Sequence, residues 1–208
     1  MTARVRRLTG IRLEEIASDD DILALLNEAY LELCGVQEWP FLREQAEEQP
    51  VGDEVELPWP VQKFTSVLWS DADGTRRLSQ VTIEEVERLE LDPGRPRAYA
   101  VKDVDTLVLS PAPEGAGTVQ FRGVRQASPM ANGNDSPLFN EEFHVGLCYA
   151  AAARMLAEEG DDSGRAEQYV GEAQGVLSRM VQRYVVTHDT ASFQMGSRRS
   201  RRGRAWRL

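Results

Sequence analysis

Soft ligands are scarce in this chain: its 208 residues include only two cysteines and two histidines. Cys34 and Cys148 cannot build a disulfide framework. Both fall on predicted helix faces, so two buried thiols in a reducing compartment, the cytosol, are expected. His144 and Cys148 stand four residues apart on one predicted helix, with Cys34 on another. A soft-metal site would need a fourth ligand that the pattern lacks, and a structural histidine beside a buried thiol is the competing reading. No apolar run approaches the ~20 residues of a membrane span. The opening MTARVRRLTG has basic residues without an apolar stretch behind them, so no secretory signal is expected. No serine sits in a G-x-S-x-G elbow. Asp71-Ala72-Asp73-Gly74 begins like a calcium loop, but Arg76, Arg77 and Leu78 follow where ligands would be needed, and a turn is expected instead. No internal repeat is visible. These absences leave no catalytic residue, metal ligand or cofactor site to nominate, and an enzyme is not expected.

Acid is abundant. The formal net charge is −10, and the imbalance is uneven. Arg198, Arg199, Arg201, Arg202, Arg204 and Arg207 lie in the last eleven residues, which hold no acid. The rest of the chain carries 18 basic against 34 acidic residues, a net −16. Such a body repels a phosphate backbone, within the range that salt allows, and is unlike a sequence-reading nucleic-acid binder.

The clearest ordered segment begins at Ser18. Three aspartates, Asp19 to Asp21, follow this N-cap and suit the positive end of a helix dipole. Ile22, Leu25, Leu26, Ala29, Tyr30 and Leu33 then repeat at helical spacing, and Gly35 can close the helix. The aromatic knot Trp39-Pro40-Phe41-Leu42 comes next, followed by an acidic connector from Glu44 to Asp53. Short β-branched segments bounded by turn residues predict strands at 54–57, 63–69, 77–80, 97–101, 106–109 and 118–125. The capping-box spacing of Thr82 and Glu85 predicts a short helix among them. Asn140 can cap a helix running to about Glu159, with Phe143 and Leu147 facing inward. After a tight link, Tyr169, Val170 and Leu177 belong to the apolar stripe of a last helix. One amphipathic helix cannot bury its stripe alone. The first helix is therefore expected to pack on this C-terminal hairpin. Gly171 and Gly175 sit inside the last helix at a cost of about 2 kcal/mol against alanine, a cost that suggests close approach of a neighbouring helix, in this chain or the next subunit.

The expected fold is α+β: a bundle of about three helices, one N-terminal and two in a C-terminal hairpin, with an inserted small antiparallel β module. The expected parts are an arm or short helix over 1–17, a helical core over 18–50 and 137–187, a β-rich insertion over 51–136, and a disordered or extended basic arm over 188–208.

The order of these pieces resembles a known family. Ile22-Leu23-Ala24-Leu25-Leu26-Asn27-Glu28-Ala29-Tyr30 after an acidic cap, Trp39-Pro40-Phe41-Leu42, Leu57-Pro58, Leu107-Val108-Leu109-Ser110-Pro111-Ala112-Pro113 and Ser136-Pro137-Leu138-Phe139-Asn140-Glu141-Glu142-Phe143-His144 are similar to the head-to-tail adaptor (connector, or neck) proteins of tailed bacteriophages. The likeness spans about residues 18 to 186. It implies a structural virion protein in the neck, assembled in the host cytoplasm and typically a dodecameric ring beneath the portal. Such a ring joins the portal to tail, stopper or tail-terminator proteins, and DNA passes through its channel during ejection without specific binding. The arginine-rich tail departs from that pattern. Its arginines, with Trp206 among them, are expected to dock on the portal. Nucleic-acid contact and simple solubilising disorder are the other readings, and the first makes a nucleic-acid-binding accessory protein the alternative function.

Overall fold

A computed structural model describes residues 1–10, 18–89, 92–159 and 163–186. The chain divides into two compact units, one drawn from Met1–Pro40 and Ser128–Leu208, the other from Phe41–Ala127.

The first unit is helical. It contains α1 (Thr2–Thr9), α2 (Asp19–Gly35), α4 (His144–Glu159) and α5 (Ser163–Val181), the last continued by a wider-wound turn over Gln182–Val186. Ser18 and Asp21 form a complete capping box: the Asp21 N–H donates to Ser18 Oγ at 3.1 Å, and the Ser18 N–H donates to Asp21 Oδ2 at 2.9 Å. The Ser18 side-chain and backbone bonds hold the Asp21 carboxyl below the usual carboxylate range. α1, α2 and α5 all pack on α4. The first helix ends at Gly10, whose φ of 78° is a left-handed cap that glycine adopts freely.

The second unit holds two four-stranded sheets and α3 (Ile83–Leu89). β1 (Arg43–Glu48), β8 (Thr118–Arg125), β3 (Val61–Asp71) and β4 (Gly74–Arg77) form one sheet in that spatial order, antiparallel throughout. β2 (Glu54–Glu56), β7 (Thr106–Ser110), β6 (Ala98–Asp103) and β5 (Ser79–Gln80) form the other, where β5 pairs with β6 in parallel. Inward residues of both sheets share one core, with Val55 and Leu107 from one and Val67, Trp69, Val119 and Phe121 from the other. Gly123 sits where β3 bulges. A Cβ there would lie 2.7 Å from the Lys63 carbonyl oxygen, so the two strands meet as closely as they do only because this residue is glycine.

The observed architecture differs from the expected one. Among the described residues there are five α-helices, not about three, and the β part is two sheets of four strands rather than a small antiparallel module. β1 lies in the stretch read as an acidic connector. Its sequence, Arg-Glu-Gln-Ala-Glu-Glu, has no β-branched residue, so its pairing to β8 and not its own propensity makes it a strand. Within 1–17, expected to be an arm or a short helix, the described part forms the helix Thr2–Thr9, and residues 11–17 lie outside the described residues.

The Asp71-Ala72-Asp73-Gly74 segment is the β3–β4 turn. Burial raises the Asp71 pKa, but the donors around it win and hold it below the usual range: the Trp69 indole at 2.5 Å, the Asp73 N–H at 3.0 Å and the Arg95 guanidinium at 2.9 Å. A folded-state pKa below the unfolded one contributes stability above the unfolded value, near pH 3.8. That contribution is lost as pH falls through the folded value. The Trp69 indole N–H signal is therefore expected to shift, and its hydrogen exchange to accelerate, only below about pH 4. An indole signal that titrates near neutral pH would contradict this arrangement.

Candidate functional site

No group of three or more His, Cys, Asp or Glu side chains that could hold a metal is found among the described residues. Cys34 and Cys148 are both buried, and burial pushes the Cys148 thiol pKa up. The His144 ring is engaged by its own neighbourhood: Nε2 lies 2.9 Å from the Phe139 carbonyl oxygen, and the Phe139 ring meets it edge-on.

The helical unit shows how the sequence-predicted residues are used. Ile22, Leu26, Ala29, Tyr30, Trp39, Phe143 and Leu147 are buried. Leu25, Leu33, Tyr169 and Leu177 are half-buried, as is Phe41 at the start of the other unit. Val170, expected inward, is exposed. The Trp39 indole donates at 2.7 Å to the Leu33 carbonyl in the last turn of α2, which also accepts the Val36 N–H at 3.4 Å. The same ring meets Tyr184 edge-on at 6.3 Å, and Tyr184 also contacts Phe143 at 5.9 Å. Trp39 thus ties the end of α2 to the segment after α5.

Gly171 and Gly175 are exposed, and a Cβ at either would meet nothing within 4 Å. The close helix approach within this unit lies elsewhere. Gly146 on α4 faces Val176 on α5, whose Cγ1 would stand 2.8 Å from an added Cβ. A lone glycine amid Val145 and Leu147 was the available signal for that contact.

Two further devices escaped sequence reading. Asn27 makes a two-way pair with the backbone of Met130: its amide donates to the carbonyl at 2.9 Å, and its oxygen accepts from the N–H at 2.8 Å. A polar amide inside the stripe of α2 was its only trace. Tyr169 donates to the Leu8 carbonyl at 2.9 Å, and Arg165 donates to the same oxygen. These bonds fasten the end of α1 to α5, and Tyr149 stacks on Tyr169 at 5.7 Å.

Between α2, α4 and α5 lies an open apolar groove of about 780 Å³. Leu33 and Val36 form one wall, alanines of α4 the floor, and Val170, Ala173 and Leu177 the other wall. Glu32, Glu167 and Arg154 are the charged residues of the lining, and Arg154 is paired with Glu28 and Glu32. The groove can accept an apolar side chain or helix face.

The partner-binding candidates Arg198, Arg199, Arg201, Arg202, Arg204, Trp206 and Arg207 lie outside the described residues. A search of curated proteins found no match. A family model described as "SU10 adaptor protein" matches residues 1–202, nearly the whole chain. The chain therefore belongs to the SU10 adaptor protein family, a phage head-to-tail adaptor family, and is a structural adaptor protein of the virion.

Proposed function

We propose that this protein forms a closed ring of identical copies, twelve on the family's pattern, in the neck between capsid and tail. The ring links the portal to tail, stopper or tail-terminator proteins, and packaged DNA passes through its channel. Family membership across nearly the whole chain carries the reading. The charge distribution supports it: a channel through which DNA slides must not grip phosphate, and the body before the arginine tail has a net −16. The tail arginines, whose forked guanidinium groups suit carboxylates, dock on the portal with Trp206 as the apolar anchor. Gly171 and Gly175 on α5 offer the backbone of the next subunit a close approach.

The arginine tail also favours a second reading, an accessory protein that binds nucleic acid. Duplex-DNA titrations of the full chain and of a truncation after Thr187 separate the two. On the ring reading, any low-salt DNA binding by the full chain disappears on truncation, and the truncated body shows no salt-dependent affinity. Retained, salt-sensitive binding by the truncated protein would overturn the passive channel.

A further inference from the structure

The groove between α2, α4 and α5 leaves aliphatic surface in water. Val36 on one wall is 58 % exposed and Val170 on the other is 46 % exposed. The charged residues of the lining are net acidic, Glu32 and Glu167 against Arg154, which pairs with Glu32. The chain itself holds a segment of matching chemistry. Residues 187–208 follow the last described turn and contain the six arginines together with Trp206 and Leu208. Fully extended, such a segment reaches up to ~70 Å. From the end of α5 back to Val170 is about 17 Å along the helix, so the arginine run can return to the groove of its own chain with length to spare. Its tether keeps the local concentration high.

We propose that, in the unassembled protein, the C-terminal segment around Trp206 occupies this groove of its own chain. Trp206 fills the apolar space between Val36 and Val170, and the flanking Arg204 and Arg207 meet Glu32 and Glu167. Apolar filling supplies the affinity, and the acidic rim selects a basic segment over the chain's acidic remainder. The inference stands apart from the ring reading. Docking on a portal would then proceed by exchange, the portal competing with the groove for the same side chains.

The test uses the full chain with a photo-crosslinking amino acid at Val36, an exposed position. Crosslinked peptides are identified by mass spectrometry after separation by size. The expected product has monomer mass and joins position 36 to a peptide within 187–208. Trp206→Ala is expected to lower its yield at least about fivefold, in line with loss of an aromatic anchor. Val170→Lys, a change at an exposed site that removes an apolar wall and repels the arginines, is expected to do the same with an unchanged circular dichroism spectrum. Crosslinks to a second copy, crosslinks to another segment, no crosslink at all, or a yield indifferent to Trp206→Ala would each overturn the proposal.

Discussion

Leu26→Asp is expected to prevent the helical unit from folding. Leu26 is fully buried on the inward face of α2, which packs on α4. The substitution removes its apolar burial and places a carboxylate in a fully buried position. Loss of a buried leucine side chain costs about 2–5 kcal/mol, and an unpaired buried charge adds several more. The sum is comparable with the about 5–15 kcal/mol that a whole domain has in reserve. Far-UV circular dichroism should show lost helix and no cooperative helical melting. An unchanged melting temperature would mean that α2 is not part of this core.

Trp39→Ala is the second change with a large expected effect, and its mechanism can be split. The ring is fully buried, contacts Tyr184 and donates to the Leu33 carbonyl. Emptying the site should cost about 3–5 kcal/mol. Trp39→Phe keeps most of the volume and loses the donor, and should cost about 0.5–1.5 kcal/mol for the lost hydrogen bond, because the Leu33 carbonyl keeps the Val36 N–H. Denaturant unfolding of the pair measures both. Equal losses for alanine and phenylalanine would show that the hydrogen bond rather than the packing holds the end of α2.

What could be read in advance depended on whether a residue's own chemistry or its neighbours decided the outcome. α2 was legible because Ser18, Asp21 and the aliphatic stripe all act within one helix. α3 was legible for the same reason, as Thr82 and Glu85 exchange capping bonds at 3.3 and 3.0 Å. β1 was not. Its charged residues become a strand through partners more than seventy positions away, with Arg125 on Glu44 at 2.7 Å, Arg122 on Gln45 at 3.1 Å and Gln120 on Glu47 at 3.2 Å. α1 is held from outside as well, by Tyr169 and Arg165 on the Leu8 carbonyl. The two-sheet arrangement escaped because the strand expected over 77–80 is split between the sheets: Arg77 ends β4, and Ser79–Gln80 forms β5, whose parallel pairing with β6 is a tertiary fact.

The candidate site divides in the same way. The aliphatic residues of the groove were visible as a helical stripe, but that Val170 faces water depends on how α5 sits against α4 and α2. The pair Gly171 and Gly175 carried a visible propensity cost, yet Gly146 makes the close approach inside the chain. The family resemblance rested on the order of weak motifs and not on any single residue. That order survives where local predictions fail, because it follows the succession of elements and not their exact bounds.

The central claim, a ring adaptor between portal and tail, is tested most directly by imaging the purified protein bound to portal from the same phage. The account predicts a closed ring of identical copies seated on the portal, coaxial with it, with an acidic channel wide enough for duplex DNA. A protein that stays monomeric in the presence of portal, or one found along DNA and not at the portal, would contradict it.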